Sequence, residues 1–283
     1  MVDLRYHITS LVAVFLALGI GMIIGSTVVG SEGLVMEQQV LIDRLEDDFY
    51  RLRQQNSDYK EKVAQLENIN LDYHLFMENI YPLVVKDKLK EQQLLVIKTG
   101  DFPELDRLKE GLEAAGAMVK TVIDINRERE GYGQIAAANG KTENTWVNIS
   151  KSVVNSFLDP LDDNILTTLV DEGFLNITGS IDYIPDAVIL AGGTTAGKPN
   201  LVQQIDRSFV EFWRDRDIPV FGVEFVEADA SYIQDYRSFG ISSVDNVDTV
   251  VGRLALVFVM SGRDGTFGIK QTAQAVIPSL LEN

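Results

Sequence analysis

Cysteine is absent from the 283-residue chain, and histidine occurs only at His7 and His74. Without a thiol there is no disulfide framework, no thiolate metal site and no cysteine nucleophile. Neither histidine falls within 92–283, so that stretch holds no Ser-His-Asp triad, no Cys-His pair and no His-based zinc site. Positive charge is scarce as well: 25 Lys and Arg stand against 42 Asp and Glu, for a net charge of −17. This argues against nucleic acid as a partner, since phosphate backbones are held by clustered Lys and Arg. It argues equally against a peripheral anchor that relies on anionic lipids. Soft metal donors are few. Met1, Met22, Met36, Met77, Met118 and Met260 form no Met-x-x-Met, and Met118 and Met260 lie in apolar runs where methionine fills core space. Cu(I) prefers thiolate, thioether or imidazole, so 92–283 is expected not to bind it tightly. No cofactor, catalytic residue or enzymatic activity is expected.

What the chain does have is a long apolar run. No Asp, Glu, Lys or Arg stands between Arg5 and Glu32, and residues 8–30 read ITSLVAVFLALGIGMIIGSTVVG. Roughly 20 apolar residues cross a bilayer, and the run exceeds the h-region of a cleaved signal peptide. The expectation is an uncleaved, single-pass plasma-membrane anchor. Residues 1–7 carry Arg5 and the amino terminus, whereas the far flank opens with Glu32 and Glu37, which places the N-terminus in the cytoplasm and the remainder outside. Ala13, Ala17, Gly21 and Gly25 recur every four residues on one helical stripe. Such a stripe suits close helix pairing, although small residues are also common in membrane helices generally.

Residues 34–81 read as a coiled coil. From Ile42 a heptad runs unbroken, with Ile42, Phe49, Asn56, Val63, Asn70 and Met77 at a and Leu45, Leu52, Tyr59, Leu66, Tyr73 and Ile80 at d. Asparagine at a fixes register and favours two strands. Ile42 to Ile80 would form a rod of roughly 60 Å. Pro82 is expected to end or kink the helix.

Residues 92–283 alternate strand-like and helix-like segments. The strand-like runs are 94–100, 118–125, 186–193, 218–225 and 239–244; the helical ones are 102–117, 201–216 and 246–262. That alternation implies an α/β domain with a Rossmann-like parallel sheet. The more polar stretch 126–182 reads as an insertion or helical lid, with helical patterns around 147–158 and 161–175.

One motif resembles a phosphate loop. Gly192-Gly193-Thr194-Thr195-Ala196-Gly197-Lys198 follows the apolar run DAVILA, but Pro199 stands where Ser or Thr would hold magnesium. The alternative is a glycine-rich strand-to-helix turn. Glu224, Glu227 and Asp229, and then Asp245 and Asp248, form acidic clusters. In so acidic a chain these are expected to be a solvated surface, with Asp245, Asn246 and Asp248 capping the helix that follows.

Several segments resemble the family named for the mycobacterial copper transport protein MctB, which also includes the corynebacterial envelope protein SteB. The resemblance lies in LRYHITSLVAVFLALGIGMIIGS (4–26), VILAGGTTAG (188–197), IPVFGVE (218–224), VDNVDTVVGRLALVFVMSG (244–262) and TFGIKQTAQAVIPSLL (266–281). It implies copper homeostasis or efflux by an oligomer. The SteB-like members imply an alternative, a non-enzymatic scaffold for division and wall remodelling that partners a SteA-like cytokinetic protein. An outer-membrane location fits poorly, since spans there are β-barrels and this anchor is a helix. One helix per chain cannot enclose a pore, so conduction would require several chains.

Overall fold

The computed structural model describes residues 4–101, 105–127, 145–158, 164–195 and 200–279. They divide into two compact units, Met1–Asp72 and Tyr73–Asn283. The first is helical throughout its described length. Helix α1 runs from Leu4 to Val85, through the apolar run, the heptads and three residues beyond Pro82. The anchor and the heptad segment are therefore one helix and not two. Pro82 does not stop it, because the adjoining turn is held by tertiary packing: Tyr81, Val85 and Leu89 are buried in the core of the second unit.

The second unit is built on a seven-stranded sheet. Its strands are β1 (Gln93–Lys98), β2 (Met118–Ile125), β3 (Leu175–Gly179), β4 (Ala187–Ala191), β5 (Val220–Val223), β6 (Ser243–Val244) and β7 (Thr266–Phe267), in the spatial order β3-β2-β1-β4-β5-β6-β7. All neighbours are parallel except β2 and β3. The helices are α2 (Asp106–Ala114), α3 (Thr145–Leu158), α4 (Asn164–Asp171), α5 (Asp206–Arg214), α6 (Ile233–Ser238) and α7 (Val250–Met260).

The central strands are apolar on both faces because both faces are covered. On one face Leu95, Ile97, Val188 and Leu190 pack with Val153, Phe157, Leu169, Phe209 and Trp213 from α3, α4 and α5. On the other, Leu94, Val96, Ile189 and Val223 pack with Leu108, Leu112, Leu256 and Val257 from α2 and α7. The end of α1 joins this second layer. Tyr81 donates its hydroxyl to the Gly111 carbonyl at 2.8 Å, and the buried Arg253 pairs with Glu78 at 2.7 Å.

Three expectations change. The stretch 126–182 is not simply a lid, since α3 and α4 contribute to the core and β3 forms the antiparallel edge of the sheet. Within 239–244 only Ser243 and Val244 are strand, and α6, which the sequence pattern did not reveal, occupies the preceding residues. Met118 does not fill core space; it is 55% exposed at the start of β2, whereas Met260 is buried.

Candidate functional site

The order of the sheet reverses between β1 and β4, and a crevice outside the carboxyl ends of the strands at such a point is where open α/β sheets place ligands. Five of the parallel strands deliver a polar group to that edge. Arg127 follows β2, Asp101 follows β1, Thr194 follows β4, Glu224 follows β5 and Asp245 follows β6.

The loops after β1 and β4 touch backbone to backbone. The Thr99 and Gly100 N–H groups both donate to the Ala191 carbonyl, at 2.9 and 2.8 Å, and Asp101 N–H donates to the Gly193 carbonyl at 3.0 Å. A side chain at Gly100 would collide with the Gly192–Gly193 backbone. Gly193 has a φ of +94°, and a Cβ there would lie 2.7 Å from Glu224 Cγ and 2.8 Å from Ala228 Cβ. Gly192 is pressed against the Tyr236 hydroxyl and the Tyr232 ring. Internal packing thus demands the two glycines of the phosphate-loop-like motif. Gly197 and Lys198, the other residues of that motif, lie outside the described residues.

Three carboxylates at this edge are buried. Asp206, in the first turn of α5, accepts at Oδ1 from Thr99 Oγ1 at 2.6 Å and from the Tyr236 hydroxyl at 2.7 Å, while Oδ2 has no partner among the described residues. Burial lifts its pKa to about 6, against the pull of those hydrogen bonds and of Arg127. Burial likewise raises the Tyr236 hydroxyl well above its ordinary range, helped by the neighbouring Asp206. Glu224 accepts from Ser231 Oγ at 2.7 Å, Tyr232 N–H at 2.5 Å and Lys270 Nζ at 2.9 Å. Its pKa is raised by burial, opposed chiefly by Lys270. Asp245 accepts from the N–H groups of Ile269 and Lys270 at 2.8 and 3.0 Å.

Glu224 and Asp245 are therefore not the solvated residues that the acidic composition suggested; both are fully buried, while Glu227 and Asp229 are exposed. They tolerate burial because each is surrounded by donors. The cap of α7 also differs from expectation. Thr249 is the N-cap, its side chain accepting from Gly252 N–H at 3.0 Å.

Outside these groups lies a cavity of about 230 Å³, lined by Asp101, Gly193, Thr194, Thr195, Phe225, Glu227, Ala228 and Asp248. Of these, Asp101 pairs with Arg127 at 2.6 Å, and Arg127 also donates to the Tyr232 hydroxyl at 3.2 Å. No group of three or more His, Cys, Asp or Glu among the described residues is placed to hold a metal ion. Sequence patterns missed Thr99, Arg127, Asp206, Tyr236 and Lys270. Thr99 and Asp206 stood in segments read as strand and helix, Arg127 in the polar stretch 126–182 and Lys270 in the terminal TFGIKQT run, but nothing in those patterns set them apart, and Tyr236 stood in no segment noted beforehand.

The expected pairing residues remain on α1. Ala13, Ala17, Gly21 and Gly25, and the heptad residues Ile42, Leu45, Leu52, Asn56, Val63, Leu66 and Asn70, are all exposed. Within α1, Leu4–Ser26 is long and apolar enough to cross a membrane.

Comparison with known proteins gives a consistent result. A family model described as "Copper transport outer membrane protein, MctB" matches residues 1–132 and 152–278. Proteins named "Copper transporter MctB" from Mycobacterium bovis and from two strains of Mycobacterium tuberculosis are 27% identical over 180 residues. That match covers 61% of this chain and 49% of each relative, so the chain spans about half the length of the curated relatives it matches.

Proposed function

The chain belongs to the MctB family, and on that premise we propose that it is a membrane-anchored, non-enzymatic component of copper transport that works as an oligomer. The observation carrying this reading is that the family match takes in both the apolar helix and the α/β unit. Copper is cargo in this proposal and not a resident cofactor. Residues 92–283 contain no His or Cys, so a tight single-chain Cu(I) site there is not part of it. One apolar helix encloses no pore, which supports assembly of several chains.

The partner proposed for the heptad stripe is a second copy, parallel and in register. Anchors in one membrane favour parallel helices, and Asn56 and Asn70 at a positions would set the register. The anchor stripe Ala13, Ala17, Gly21 and Gly25 would add a second contact. We place the N-terminus in the cytoplasm from the charge flanks. The sheet order β3-β2-β1-β4-β5-β6-β7 supports a Rossmann-like reading of the α/β unit.

A second reading is a cell-envelope scaffold of SteB type partnering a SteA-like protein, favoured by the scarcity of soft metal donors in 92–283. One experiment separates the two. Deleting the gene should raise intracellular copper and copper sensitivity, with cell length and septa unchanged. Unaltered copper together with elongated cells or aberrant septa would replace transport with the scaffold.

A further inference from the structure

Resting on the paired-helix reading above, we propose that Phe76 and Leu83 of each chain clasp the α/β unit of a second copy. The far end of the seam is then a helix-on-domain contact and not a two-helix coil. Phe76 and Leu83 are 59% and 75% exposed. At about 100° per residue they stand on the opposite side of α1 from Glu78 and Val85. That opposite side is taken by the chain's own α/β unit. Glu78 pairs there with Arg253 at 2.7 Å, the Tyr81 hydroxyl donates to the Gly111 carbonyl at 2.8 Å, and Val85 is wholly buried. In the heptad, Phe76 and Leu83 are g residues and Tyr81 is an e residue.

The g column changes character close to where the second compact unit begins, at Tyr73. Asp48, Gln55 and Lys62 are polar, whereas Ile69, Phe76 and Leu83 are apolar. In two parallel helices the g side of one faces the e side of the other. From Glu46 to Glu67 the e side is a charged helix edge, carrying Arg53 and Lys60 between them. At Tyr81 it is a folded α/β unit. Polar g residues suit the first surface, and apolar ones suit the second.

Charge complementarity identifies the occupant as a second copy, parallel and in register. That register sets Asp48 beside Arg53 of the second copy, and Lys62 beside Glu67 of the second copy. Both pairs are of opposite sign. A stagger of one heptad would instead set Asp48 beside Glu46 and Lys62 beside Lys60 along one side of the pair, both of like sign. Asp48 also meets Arg51 of its own helix at 2.9 Å, but both side chains are more than half exposed. Such a surface pair contributes little and does not hold Asp48 back from the seam.

The test uses the full-length chain in detergent micelles. Because the chain has no cysteine, Asn56→Cys reports the paired helix by itself: in register, its two thiols come within disulfide reach. Sedimentation equilibrium then measures the clasp. Phe76→Ser combined with Leu83→Ser should weaken the dimer by roughly a hundredfold or more, since a symmetric pair loses each apolar contact twice. Leu75→Ser, exposed at an f position, should leave it unchanged. Thermal unfolding of the α/β unit should be the same in all of these. Asp48→Lys should weaken the dimer, and adding Arg53→Glu should restore it. A dimer that cross-links at Asn56→Cys, yet weakens no more with Phe76→Ser and Leu83→Ser than with Leu75→Ser, would overturn the clasp and leave the paired helix standing. Lack of rescue by Arg53→Glu would overturn the second copy in register as the occupant. A monomeric wild type with no cross-link would remove the paired helix and the clasp with it.

Discussion

Leu45, Leu52 and Leu66 are 55, 57 and 65% exposed, whereas Leu94, Leu95 and Leu190 are wholly buried. All six sit in regular structure with saturated backbones, so local conformation does not separate them. The difference is what lies beside them. In 73–283 strands and helices cover each other on both faces of a sheet, and the leucines meet their own chain. In 4–72 a single helix is the whole of the described unit, and its apolar side chains are exposed wherever they are described. Burying a leucine side chain is worth about 1.5–3 kcal/mol, so a long helix carrying apolar stripes is stable in company. In the proposal above its two halves would take different company: lipid around the apolar run, and another helix along the seam that repeats every 3.5 residues.

The largest effect should come from breaking the self-sufficient unit. Trp213 is fully buried and stacks edge-on against Phe157, with ring centroids 5.8 Å apart. Trp213→Ala should cost about 3–5 kcal/mol in denaturant unfolding, while the chain still fractionates with membranes. Loss of membrane association in the same variant would mean that the two regions are not independent. Trp213→Phe should cost less, since it also removes the indole N–H that has no partner among the described residues.

A smaller effect of defined sign is expected from Asp206. Its folded pKa of about 6 lies above the ordinary 3.8. The folded state therefore prefers the protonated acid. The group's contribution is fully present below pH 3.8 and is lost as pH rises through about 6. Asp206→Asn should flatten the decline in stability of 73–283 across that window, a difference on the order of 2–3 kcal/mol. Melting curves at pH 4 and pH 7, roughly the two ends of that window, would check it. An unchanged slope in the variant would show that another group carries the dependence.

The smallest effect sharpens the comparison most. Leu66→Ala on a helix that stays alone should change stability by less than about 0.5 kcal/mol. On a helix paired with a second copy it should cost about 2 kcal/mol and depend on protein concentration. Sedimentation of the wild type and the variant in micelles distinguishes the two. The expected outcome is a wild-type dimer weakened by the substitution.

The two regions also differed in how far they could be read in advance. Most of the helical path follows from local pattern, the apolar run and then the heptads up to residue 81, because a pattern repeated over many turns leaves little for the rest of the chain to decide; only its passage through Pro82 to Val85 depended on packing. Strands β1, β2, β4 and β5 were visible as short apolar runs. Strand β3 was not, since its burial pattern gives only one fully buried residue in five and it lies on an edge. Strands β6 and β7 have two residues each, too few for any alternation to show. Charge was the least legible property. Composition treats Glu224 and Asp245 like Glu227 and Asp229, yet the first pair is buried among donors from residues 231–232 and 269–270.

Sequence by itself determined what the chain can offer chemically and how its elements alternate. It ruled out thiol and imidazole chemistry in 92–283, and it marked an apolar helix of membrane-crossing length, because those depend on residue identity and on short-range order alone. Only the tertiary structure decided which polar residues share a site. Thr99, Asp206 and Tyr236 are separated by 107 and 30 positions yet meet on one carboxylate oxygen. Parallel strands make this possible: each crossover returns the chain to the same edge, so residues far apart in the chain arrive together at the carboxyl ends, and the positions between them carry no trace of the meeting.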